Sequence, residues 1–88
     1  RGDATPLPGF EQDDYVRAAG FDRYPLSELI QQYEGVRRDT CALYRHLSEE
    51  ATSRRGTANN AEVSVRALAY ITAGHELHHR GVLQRLYI

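Results

Sequence analysis

The sequence has no methionine, no tryptophan and no lysine, and a single cysteine, Cys41. Lacking methionine, it cannot open on its own start codon and is expected to begin inside a longer protein. One cysteine cannot close an intrachain disulfide, so packing, a metal or a partner chain must stabilise the fold, and a reducing cytoplasm is the expected compartment. With lysine absent, every basic side chain is arginine, and the formal net charge is -1. No charge excess draws the chain to nucleic-acid phosphates or an anionic membrane, and neither is expected as a partner. No apolar run approaches the roughly 20 residues of a membrane-spanning helix, and no signal-peptide pattern opens the chain. Internal repeats, low-complexity tracts and sustained heptads are also absent.

What is present is ordinary for a folded piece: 88 residues, 41% hydrophobic and 26% charged. That length allows one domain, or part of one. Residues 1–10 carry Gly2, Pro6, Pro8 and Gly9 without hydrophobic period, which predicts an extended loop. A short helix is predicted from Glu11 to Ala19, with Asp13 and Asp14 in its first turns and Gly20 as its stop. A long helix is predicted from Ser27, read as N-cap after Pro25, to about Leu47. Its stripe runs through Leu26, Ile30, Tyr33, Val36, Thr40, Leu43 and Leu47, stepping by three or four, and Gly35 weakens it without breaking it. Residues 48–63 are polar, with Gly56 and Asn59-Asn60, and predict a connection with a turn near its middle. Ser64 then caps a second long helix whose stripe holds Val65, Leu68, Thr72, His75, His79, Val82 and Leu86. Two amphipathic helices cannot bury both stripes against each other. An all-α fold is therefore expected, part of a four-helix bundle completed by further helices or by a second chain.

His75 and His79 stand out within that stripe. Four residues apart on a helix, they differ by about 40° in direction and about 6 Å along the axis, so both imidazoles can close on one divalent ion. The competing reading is two ordinary helix histidines, one half-buried with a satisfied hydrogen bond and one at the surface. Their place on the apolar stripe favours ligands, because burying imidazoles without a partner is costly. His78 lies on the flank of that stripe, and His46 is expected to face solvent.

His75-Glu76-Leu77-His78-His79 also matches H-E-x-x-H, in which two zinc ligands bracket a glutamate that activates water. That chemistry needs a third ligand, and the residues after His79 contain no His, Asp or Glu. No strand pattern is visible before the helix to hold a peptide. A zinc metallopeptidase is thus the lesser alternative, with Glu76 in a supporting or surface role. Among the remaining residues, Asp13 and Asp14 read as helix-start acids, Cys41 as a small buried residue, and Arg54, Arg55 and Arg66 as a solvated face or the receivers of an anionic substrate.

The segment Ser64-Val65-Arg66-Ala67-Leu68-Ala69-Tyr70-Ile71, running into Gly74-His75-Glu76-Leu77-His78-His79-Arg80-Gly81-Val82-Leu83, resembles the last helix of the DinB-like family. Leu7-Pro8-Gly9-Phe10 and Arg55-Gly56-Thr57-Ala58-Asn59 resemble it too, so the likeness runs over nearly the whole chain. It implies that residues 1–88 are the C-terminal part of a four-helix bundle holding a divalent metal, zinc or nickel, on three histidines. Two of these fall on His75 and His79; the third belongs to an earlier helix, and no residue here matches it. Activities in the family imply a metal-dependent hydrolase or a transferase that activates a low-molecular-weight thiol on the ion. A homodimer is the expected assembly, and a non-catalytic helical association domain is the alternative.

Overall fold

The computed structural model describes residues 1–88. Its elements are α1 (Gln12–Ala19), a 3-10 turn (Phe21–Arg23), α2 (Leu26–Arg45), α3 (Glu49–Ser53), β1 (Arg55–Ala58), β2 (Ala61–Ser64) and α4 (Val65–Leu86). They fall into two compact units, residues 8–47 and residues 1–7 with 48–88. No helix is long and apolar enough to cross a membrane.

In the unit of residues 8–47, α1 starts and stops as its sequence dictates. The Glu11 side chain accepts the Asp13 N–H, and Gly20 closes the helix at φ 61° and ψ 46°, a left-handed conformation that costs glycine little. The Arg23 guanidinium then donates to the carbonyls of Gly20 and Ala19, satisfying acceptors the helix end leaves open. The Phe10 and Tyr15 rings meet edge to face at 5.2 Å.

α2 begins two residues earlier than a Ser27 cap implies: its N-cap is Pro25 and its first residue Leu26. The ring of Pro25 holds φ at -59°, and its carbonyl accepts the N–H groups of Glu28 and Leu29, so Ser27 already sits inside the first turn. Cys41 corrects a second expectation, being exposed rather than buried, because α2 contains no buried residue and offers no interior to fill. A Cβ built on Gly35 would meet nothing within 4 Å. Gly35→Ala is therefore expected to stabilise the chain by about 0.4–1 kcal/mol, by removing freedom from the unfolded state and raising helix propensity. A urea melt checks this, and a lowered midpoint would show a neighbour packed on that face.

In the other unit, the polar connection of residues 48–63 is more ordered than its composition predicts. Ser48 Oγ accepts the Ala51 N–H and starts α3. An antiparallel hairpin follows, pairing Arg55 with Ser64, Gly56 with Val63, Thr57 with Glu62 and Ala58 with Ala61. Its two-residue turn is Asn59-Asn60, both at positive φ, 49° and 64°. That is the mirror-image turn whose twist suits a hairpin and which asparagine tolerates better than most residues. The expectation that no strand precedes the last helix is thus overturned. The strands are four residues each, too short for a hydrophobic alternation to reveal.

Leu7 extends this sheet. Its N–H donates to the Thr57 carbonyl and its carbonyl accepts the Asn59 N–H, both at 2.9 Å, so it pairs with Ala58 in parallel on the edge of β1 away from β2. Arg55 and Glu62 form an ion pair diagonally across the hairpin. At the junction to α4, Ser64 Oγ accepts the Ala67 N–H at 3.0 Å, and the Val65 N–H donates to the Arg54 carbonyl at 2.8 Å. Two of the orphan donors at the start of α4 are satisfied in this way. Arg66 reaches from α4 to the Thr52 hydroxyl of α3 at 3.3 Å.

Candidate metal centre

α4 carries the candidate ligands. Its 22 residues are regular from the Ser64 cap to Tyr87, whose N–H closes on the Leu83 carbonyl. His75 and His79 fall near its middle, one turn apart, with Thr72 tied back to the Leu68 carbonyl one turn before them.

The two imidazoles turn toward each other. Their Nε2 atoms stand 2.9 Å apart, with ring centroids at 4.5 Å and planes at 64°. At a metal–nitrogen distance of about 2.0–2.1 Å, nitrogens at that separation subtend about 90° at an ion. Both nitrogens are thus within reach of one divalent ion. The same contact serves as a hydrogen bond in the metal-free chain, one Nε2–H donating to the bare Nε2 of the other ring. An ion takes both lone pairs, so the two states exclude one another.

The pair is not where a core was expected. No residue of the chain is buried, and His75 and His79 are both exposed. Burial therefore imposes no desolvation cost on them, and exposed imidazoles need no ligand to offset one. What remains for the ligand reading is the spacing of their nitrogens.

Other residues stay apart from the pair. The His78 ring lies 5.5 Å from that of His79, centroid to centroid, on the flank of the stripe. No group of three or more His, Cys, Asp or Glu side chains is assembled to hold a metal. The H-E-x-x-H match therefore supplies two candidate ligands and a half-buried glutamate, Glu76, but not the third donor its chemistry needs. His46 is the exposed C-cap of α2, in the other unit. Asp14 pairs with Arg17 at 2.8 Å at the start of α1. Arg54 pairs with Glu50, Arg55 with Glu62, and Arg66 with Thr52, so these arginines are engaged along α3 and the hairpin rather than converging on a ligand.

The family profile of the DinB superfamily matches residues 1–83. The chain belongs to the DinB superfamily. No curated protein and no solved structure matches it. The matched span of this DinB-superfamily chain takes in residues of both units and contains His75, Glu76, His78 and His79. Its mostly helical architecture, with a small hairpin before the last helix, agrees with the all-α expectation except at that hairpin.

Proposed function

We propose that this DinB-superfamily chain binds a divalent metal ion through Nε2 of His75 and Nε2 of His79, and that the ion serves a small-molecule reaction. The 2.9 Å separation of those two atoms carries the reading. Imidazole nitrogen suits zinc and nickel alike, and either ion can take two such donors. A divalent ion lowers the pKa of a coordinated water or thiol and makes it a nucleophile at neutral pH. The two histidines hold the ion from one side of α4, and their exposure leaves its remaining positions open to solvent and substrate. The reaction class, a transferase using a low-molecular-weight thiol or a hydrolase, rests on the resemblance to the DinB-like family.

The test is nickel and zinc uptake by the chain after dialysis, beside His75→Ala/His79→Ala. The expected result is stoichiometric uptake by the parent and none by the double variant at equal helicity. Equal uptake by both would remove the centre. Thiol chemistry has its own readout: adding cysteine to cobalt-loaded chain should produce a sulfur-to-metal charge-transfer band, and a water-only site would show none.

A second reading has its own observation. The apolar stripe of α2 is exposed, Val36 at 68% and Leu43 at 61%, as an association surface would be. A helical association domain without catalysis has no need of the histidine pair, so it is favoured if metal uptake fails.

A further inference from the structure

Resting on the metal reading above, we propose that His78 is a positioning residue for that centre: its ring, set edge to face against His79, holds the His79 imidazole in the orientation from which Nε2 meets the ion. The two ring centroids lie 5.5 Å apart with planes at 74°, the geometry that aromatic pairs favour. His78 does not complete a group of three ligating side chains, so its part is played through His79 and not at the ion.

This contact is not a by-product of the helix. Successive residues of a helix point about 100° apart, and neighbours in sequence do not face each other. His75 and His79 meet because the helix stacks residues one turn apart. His78 and His79 meet only because both side chains take rotamers that bring their rings together.

His79 needs such a neighbour. The torsion that turns an imidazole about its Cβ–Cγ bond has broad, roughly two-fold wells, and a half-turn puts a carbon where Nε2 was. The residue is exposed, so close packing does not hold the ring. In the metal-free chain the hydrogen bond between the two Nε2 atoms, at 2.9 Å, holds it toward His75. An ion takes both lone pairs, and that bond is then lost. The His78 contact does not draw on the Nε2 lone pair and persists when the ion is bound. A ligating imidazole is commonly oriented by a second group at its other nitrogen. In this chain an adjacent ring takes that part.

Calorimetric titration of zinc into the 88-residue chain, beside His78→Ala and His78→Phe, tests this, with circular dichroism to establish equal helicity. Removing an edge-to-face contact between exposed rings is expected to weaken zinc binding by about two- to fivefold in His78→Ala. His78→Phe keeps a ring for the contact and supplies no nitrogen, and should restore the parental affinity. In the zinc-loaded chain the Hα–Hβ couplings of His79 should report one rotamer in the parent and in His78→Phe, and averaging in His78→Ala. Unchanged affinity in His78→Ala would overturn the positioning role and leave the metal reading standing. His78→Phe as weak as His78→Ala would also overturn it, because the group lost would then be a nitrogen and not a ring. A parent chain that takes up no zinc would overturn the metal reading and this inference with it.

Discussion

In nickel at about a hundredfold excess over its dissociation constant, the chain is expected to melt about 10–20 °C higher than in EDTA. Binding to the folded state alone at that excess adds about 2.7 kcal/mol, and a domain of this size gains about 4–8 °C for each kcal/mol. The size of the effect follows from the excess of ion over its dissociation constant and from the small unfolding entropy of a domain this short. Unfolding separates two nitrogens that only the helix holds 2.9 Å apart, so the ion has no comparable site in the unfolded chain. His75→Ala/His79→Ala should show no such rise. An equal rise in the variant would place the stabilising ion elsewhere and remove the histidine pair from the function.

Much of this arrangement is legible in the sequence, and the failures have physical causes. The helix of residues 12–19 is marked by acids at its start and Gly20 at its end, because dipole and left-handed cap act over one turn and need no tertiary contact. Ser64 is marked in the same way, since its hydroxyl meets the Ala67 N–H three residues on. The hairpin is not, because four-residue strands carry little alternation and Asn59-Asn60 marks a turn of many kinds. The parallel pairing of Leu7 with Ala58 joins residues far apart in the chain, which no local pattern announces. For the candidate site, helical period places His75 and His79 side by side, and the structure supplies the spacing of their nitrogens. Their exposure, like that of Cys41, was not legible: an apolar stripe shows which face of a helix seeks a partner, not whether one is there.

Replacing both turn residues, Asn59→Val and Asn60→Val, is expected to open the hairpin while leaving the proposed metal centre intact. Both positions have positive φ, where a β-branched side chain costs about 1–2 kcal/mol, so the pair together costs about 2–4 kcal/mol. Lost with the turn are the two hydrogen bonds of Leu7 and the Arg55–Glu62 pair, all of which depend on β1 keeping its register. Amide hydrogen exchange at Leu7 and Asn59 reads that opening directly. The ligand pair begins at His75, about 16 Å along α4 from Ser64 at 1.5 Å per residue. Over that distance coupling between sites stays near 0.3–0.5 kcal/mol, which is about a twofold change in nickel affinity. A tenfold or larger loss of affinity would show that the hairpin, and not the helix alone, sets the spacing of the two imidazoles. An unchanged affinity beside a collapsed hairpin would place the whole geometry of the centre within one turn of α4.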